Sequence, residues 1–199
     1  MGISYRLEVL GDSLLIISWC LGLWRAGFHT YANKVCQLQA LIEKMVNQQG
    51  LSTRCKTGEM FRHIYRELNS EADALAGRAE NSGALLTNAP PPRFLRLMFD
   101  GSRTSSKAGG GWILYGAPEI LRDEPNEWKV LAWQSFVFPA RVSITAAELE
   151  AVFAGVTFLH SYLQGPEAAN RHFSQWHPYN YVEVPELCLY EQAQHEEHE

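Results

Sequence analysis

The chain is short of several things that would place it quickly. It has four cysteines, Cys20, Cys36, Cys55 and Cys188, and no two of them are spaced as paired metal ligands. They read as reduced, buried thiols, which favours an intracellular setting but no particular compartment. It has no long apolar run. The longest, Leu14 to Trp24, covers about eleven residues, too few to span a bilayer. That run follows Asp12 and lacks a small-residue cleavage site, which argues against a signal peptide. Gly2 is followed by Arg6 where a myristoylation motif wants Ser or Thr. No membrane association is expected. The body also lacks excess charge of either sign. Residues 1–82 carry 9 Lys+Arg and 8 Asp+Glu, residues 83–165 carry 7 and 7, and residues 166–199 carry 1 and 7. The net charge of -5 therefore sits in the tail. A neutral body offers no broad attraction for nucleic acid, so any such binding would have to come from a local patch.

What is present suits one globular unit. The chain has 199 residues, 46% of them hydrophobic, enough to bury a core. Tyr5 to Leu10 reads as a strand, with Gly11-Asp12-Ser13 at its end and Asp12 or Ser13 able to cap a helix from Leu14 to about Leu21. Gly22 and Gly27 break that helix. Tyr31 to Val46 is an amphipathic helix, with Val35, Leu38, Leu41, Ile42 and Met45 recurring at three and four. Met60 to Tyr65 reads as a short strand. Asn69 is positioned to cap a helix reaching about Ala79. Residues 83–94 form a linker containing Pro90-Pro91-Pro92, an extended and stiff run. Strands are expected at about 95–100, 109–116 and 129–138. A long apolar helix then runs from Ala146 to Leu163, opened by Ser143 or Thr145 and stopped by Gly165-Pro166. Residues 166–199 read as an acidic, partly disordered tail. Within it Tyr181 to Tyr190 could form a strand, and Val182-Glu183-Val184-Pro185-Glu186-Leu187 weakly echoes Leu7-Glu8-Val9-Leu10-Gly11-Asp12. The His195-x-x-His198 pair lacks the spacing of a zinc-protease motif and reads as solvated tail.

Four acidic residues share one kind of position. Asp12 and Asp100 end strands; Asp73 and Glu148 lie in the first turns of helices. Singly, each has an ordinary explanation: a turn residue in Asp-Gly-Ser, a helix cap, or a complement to a helix dipole. Together they are the ligand type that hard, oxygen-preferring ions such as Mg²⁺ require. Two such ions about 4 Å apart can activate a water and stabilise the leaving oxygen of a phosphodiester.

The motifs around those residues carry a resemblance. Leu95-Arg96-Leu97-Met98-Phe99-Asp100-Gly101-Ser102, then Gly109-Gly110-Gly111-Trp112-Ile113-Leu114 and Thr145-Ala146-Ala147-Glu148-Leu149-Glu150-Ala151 form one set. Leu7-Glu8-Val9-Leu10-Gly11-Asp12-Ser13 and His63-Ile64-Tyr65-Arg66-Glu67-Leu68-Asn69-Ser70-Glu71-Ala72-Asp73-Ala74-Leu75-Ala76 form the other. Together they resemble ribonuclease H, type 1, in its short plant- and retrotransposon-like form, over residues 5–80 and 95–163. In that family the Asp-Gly-Ser strand comes first; here residues 1–82 are like its C-terminal half and residues 95–165 like its N-terminal half. The resemblance implies an α/β fold: a mixed five-stranded sheet with helices on both faces, circularly permuted or assembled from tandem half-domains. A linker of about a dozen residues can reach roughly 40 Å, enough to cross a domain of this size. The halves could instead swap between two chains as a dimer.

The resemblance further implies metal-dependent cleavage of the RNA strand of an RNA–DNA hybrid, with Asp12, Asp73, Asp100 and Glu148 holding two Mg²⁺ or Mn²⁺ ions and no small-molecule cofactor. Ser13, Gly101, Ser102 and Arg103 fall where the family contacts the hybrid. A catalytically inactive fragment or nucleic-acid-binding remnant is the alternative. The loop histidine of many relatives has no counterpart, and His63 reads as structural. Trp19, Trp24 and Trp112 could stack on bases, although packing suits Trp19 and Trp112 better.

Overall fold

The structure is a computed structural model describing residues 6–26, 29–48, 60–78, 81–84, 92–117 and 128–175. The elements run β1 (Arg6–Gly11), α1 (Leu14–Cys20), α2 (His29–Gln48), β2 (Phe61–His63), a short 3₁₀ turn (Arg66–Leu68), α3 (Ser70–Ala76), β3 (Asn81–Ala84), β4 (Phe94–Arg103), β5 (Lys107–Ala117), β6 (Lys129–Pro139), α4 (Ile144–Gln164) and α5 (Pro166–Gln175). The strands form one six-stranded sheet in the order β2-β1-β4-β5-β6-β3. β1 is parallel to both β2 and β4; the remaining pairs are antiparallel.

The join between the two halves of the chain is the β1–β4 ladder. It pairs Arg6 with Phe94 and continues to Leu10 with Met98. Two carboxyl ends of parallel strands are thereby laid side by side, one from each half. Alternate residues of these strands, Leu7 and Val9, Leu95, Leu97 and Phe99, are buried on one face against α1, α2 and α4. That face holds the main core, in which Trp112 stacks on Phe158 with centroids 4.9 Å apart. Such a pair adds about 0.5–1.5 kcal/mol beyond the area it buries. α2 is tied to α4 by Tyr31 and Ser143, oxygen to oxygen at 2.9 Å, and by the Lys34–Glu150 ion pair. The opposite face is thinner. There α3 sets Leu75 against Ile113 and Tyr115, with Met98, Trp128, Val130 and Trp133 around them. On the same face Arg96 bonds Glu8 at 2.9 Å and lies over the Trp128 ring.

The sheet has six strands rather than five, because Asn81–Ala84 pairs antiparallel with residues 132–135 of β6. The expected linker thus begins as an edge strand. Its small residues show no apolar alternation, so the pattern that marks strands is missing. A Cβ at Gly83 would fall 2.8 Å from the Trp133 indole nitrogen; glycine lets the two strands close over that ring.

The tail also begins as structure. Gly165, at φ 122, ends α4, but Pro166 then opens α5, a position where its missing N–H costs nothing. Ala169 of α5 is fully buried. Residues 176–199 lie outside the described residues, and with them the expected strand Tyr181–Tyr190, its echo of β1, and His195 and His198. Trp19 and Trp112 are buried and Trp24 is exposed. No helix among the described residues is long and apolar enough to cross a membrane.

Candidate active site

Glycines decide how closely the helices approach the strand ends. At Gly101 in β4, a Cβ would sit 2.5 Å from the Glu148 backbone nitrogen and 2.7 Å from its Cγ. With glycine there, α4 rests on the strand immediately after Asp100; because the helix already begins at Ile144, Glu148 is its fifth residue and lies past the first turn in which the sequence placed it. At Gly109 and Gly111 in β5, a Cβ would meet the Ala76 carbonyl oxygen at 2.0 Å and the Leu75 Cβ at 2.6 Å. This glycine run lets α3 lie flat on the other face. Asp100 pairs with Gly111 across the ladder, so α3 brings Asp73 to it. Ser102 fixes the same contact by donating to the Ala76 carbonyl at 2.7 Å.

The four expected carboxyls meet electrostatically at this end of the sheet. Asp100, only 4% exposed, has its carboxyl pushed up to about 8. Burial is the main cause, the charge of Asp12 adds to it, the Gly101 N–H opposes it, and a carboxyl–carboxyl hydrogen bond with Asp73 raises it further. Glu148 is pushed up to about 7, first by burial. A hydrogen bond with Ser13 opposes that rise, Asp12 adds to it, and Arg66 opposes it. Burial away from water disfavours the charged form of an acid, and a neighbouring carboxylate adds to that.

Asp12 and Asp73 are held by donors. Asn69 Nδ2 donates to Asp12 Oδ1 and to the Phe99 carbonyl, both at 3.0 Å. One buried amide thus ties the start of α3 to the ends of β1 and β4. The Asn69 Oδ1 atom has no hydrogen-bond partner among the described residues. Arg66 donates to Asp73 Oδ1 at 2.9 Å. His63 contacts the Asp12 carbonyl through Nε2 at 3.0 Å, with its ring exposed.

The residues expected to contact nucleic acid occupy less turn-like places than their motif implies. Gly101, Ser102 and Arg103 are all in β4, and the reversal comes at Thr104–Ser106. Gly101 is buried, while Arg103 is exposed and donates to the Ala140 carbonyl at 3.2 Å. Ser13 sits at the amino end of α1 without a side-chain capping bond; its hydroxyl meets Glu148 instead.

No protein-family model, curated protein or solved structure matches the chain.

The donor chemistry suits a hard divalent cation: four carboxyls converge, and the two with raised affinity for protons are crowded by charge. Among the described residues, no three His, Cys, Asp or Glu side chains already surround one point as metal ligands. A cation at Asp73 would compete with the Arg66–Asp73 bond. Two residues of the site, Asn69 and Arg66, were missed as site residues by the sequence. Asn69 looked like a helix cap, and its side chain makes no capping bond. The available signal was spacing, since Asn69 stands four residues before Asp73 and Arg66 seven before it.

Proposed function

We propose that the protein is a ribonuclease H-like, metal-dependent endonuclease that hydrolyses the RNA strand of RNA–DNA hybrids, using one site built from both halves of the chain. The observation that carries this reading is the convergence of four acids: Asp12 directly after β1, Asp100 within the adjacent parallel strand β4, Asp73 in the first turn of α3 and Glu148 as the fifth residue of α4. The strand order supports it too: taking β4, β5 and β6 before β1 and β2 gives the arrangement the resemblance implies, with β3 as an added edge. Circular permutation then explains the reversed motif order.

Two Mg²⁺ or Mn²⁺ ions held by these carboxyls would supply an activated water and offset charge on the leaving oxygen. The chain's own residues prepare for that. Asp100 and Glu148 accept cations in place of protons. Asn69 fixes the Asp12 carboxylate. The close fit at Gly101 keeps Glu148 beside Asp100. Ser13 and Arg103, at the rim, are proposed to meet the nucleic acid, with Gly101 and Ser102 offering backbone contacts alongside them; a 2′-hydroxyl is what such contacts can recognise in RNA.

A catalytically inactive remnant that keeps the fold is the second reading, favoured by the neutral body and the missing loop histidine. The deciding experiment is incubation of a labelled RNA–DNA duplex with the protein and Mg²⁺, with single-stranded RNA and duplex DNA as controls. Mg²⁺-dependent cutting of the hybrid RNA alone supports the nuclease. A folded, Mg²⁺-binding protein that cuts nothing supports the remnant.

A further inference from the structure

Arg66 is the cation that all four carboxyls feel. Its guanidinium bonds Asp73 and interacts with the charges of Asp100 and Asp12, and it acts on Glu148 as well. Yet it is hardly committed to the fold. Its side chain is 73% exposed, and that of its partner Asp73 is 40% exposed. Exposed pairs of this kind contribute little stability and exchange readily. The backbone beneath it is different. The Arg66–Leu68 turn leads directly into Asn69, whose 0% exposure and two donated bonds anchor it to β1 and β4. Arg66 is therefore a fixed base with a free, planar, permanently charged end, the shape that binds a phosphate through two parallel N–H bonds. Tyr65 and Leu68 beside it are 75% and 65% exposed, offering apolar surface next to that charge.

We propose that Arg66 is an exchangeable counter-ion, bonded to Asp73 while the site is free of metal and transferred to a substrate phosphate when a divalent cation takes that carboxylate. This rests on the nuclease reading above and adds a phosphate-binding residue to it. A cation at Asp73 removes the guanidinium's partner and repels it, and the nearest anion is then the backbone of the bound nucleic acid. In a body with no broad positive field, one such contact should weigh heavily in affinity.

The test uses the full chain and the variants Arg66→Gln and Arg66→Lys. Melting is followed against Mn²⁺ concentration without nucleic acid. Loss of a competing positive charge should lower the Mn²⁺ midpoint of Arg66→Gln by about three- to tenfold. Binding to a labelled RNA–DNA duplex is then followed against salt. Losing one phosphate contact should weaken binding about tenfold and reduce the salt slope by about one. Arg66→Lys should keep the slope and recover part of the affinity. A cooperative metal-free melt with the wild-type far-ultraviolet spectrum is the control for folding. A wild-type chain that responds to Mn²⁺ and binds hybrid, with Arg66→Gln matching it in midpoint and slope, overturns this proposal alone. A wild-type chain that does neither overturns the nuclease reading and this one together.

Discussion

The two halves of the chain bring acids to the same place in different states. Asp100 and Glu148, from the second half, are pushed up to about 8 and about 7, with burial leading in both. Asp12 and Asp73, from the first half, are each gripped by a dedicated donor, Asn69 and Arg66. Both halves use the same local device, an acid on or just after a strand facing a second acid near the amino end of a helix. What differs is the surroundings: Asp100 is buried in the sheet and Glu148 half-buried on α4, while the half-buried Asp12 and Asp73 lie where amide and guanidinium groups reach them. A site of four equivalent carboxylates would be hard to hold together without metal. Splitting them into a pair that can carry protons and a pair that carries donors lets the fold form first and the cation bind later.

The sharpest way to break this comparison is Asp100→Asn. The change is nearly isosteric and removes the acid that two neighbours crowd. Cleavage of hybrid should fall by at least about a thousandfold, several kcal/mol of transition-state stabilisation, while the fold persists. Steady-state cleavage with Mg²⁺ checks it, and activity near the wild-type level would mean the wrong site has been assigned.

Asn69→Ala addresses the donor side. It leaves the Phe99 carbonyl and the Asp12 carboxylate without their buried donor, which should destabilise the chain by about 1–3 kcal/mol, read as a lower urea midpoint. Asn69→Asp should be worse for activity, since it places a fifth acid against Asp12. An Asn69→Ala protein of wild-type stability would mean that the tie between the strand ends is not needed.

The pH dependence sharpens the contrast between the pairs. A carboxyl with a raised folded-state value holds its proton in the fold after the unfolded chain has released it. Its contribution to stability is fully present below the unfolded value near 4 and is lost as pH rises to about 8. Metal-free protein should therefore lose stability between about pH 5 and pH 8.5, and Asp100→Asn should flatten much of that slope. Urea midpoints across that range, with EDTA, provide the check; equal slopes in both proteins would contradict the assignment. Millimolar Mg²⁺ should also oppose the loss, because a ligand that binds only the fold stabilises it by mass action.

The smallest effect belongs to His63. Among the described residues its exposed ring touches the Asp12 carbonyl and the edge of Tyr65, so His63→Ala should cost less than about 1 kcal/mol, as surface changes usually do. The activity should fall modestly through looser placement of Asp12. A large loss of turnover with unchanged stability would give His63 a chemical role that the structure does not suggest.

Much of this arrangement could be read from residue patterns. β1, β4, β5 and β6 announced themselves by apolar, aromatic runs, and α2 and α4 by three-and-four spacing; Asp12 and Asp73 stand at element ends as expected, whereas Asp100 lies within β4 and Glu148 is the fifth residue of α4. The coarse α/β fold was legible for the same reason: burial on a sheet or helix face leaves a period in the sequence. What lacked a period was missed. β3 is Asn-Ser-Gly-Ala, joined by main-chain bonds to an available edge. α5 follows a glycine and a proline that usually end structure. Asn69 and Arg66 act through side-chain bonds to residues distant in space, which no local pattern records. The strand character of Gly101 and Ser102 was likewise hidden, because Asp-Gly-Ser looks like a turn until Gly109 and Gly110 are seen paired opposite.

The most direct test of one composite site is anomalous diffraction from crystals of the protein grown or soaked with Mn²⁺. The account predicts anomalous density among Asp12, Asp73, Asp100 and Glu148, as one peak or as two about 4 Å apart, with Asp100 touching each and the Arg66–Asp73 bond broken. Density bound elsewhere, or none at these carboxyls at a Mn²⁺ concentration that raises the melting temperature, would contradict it.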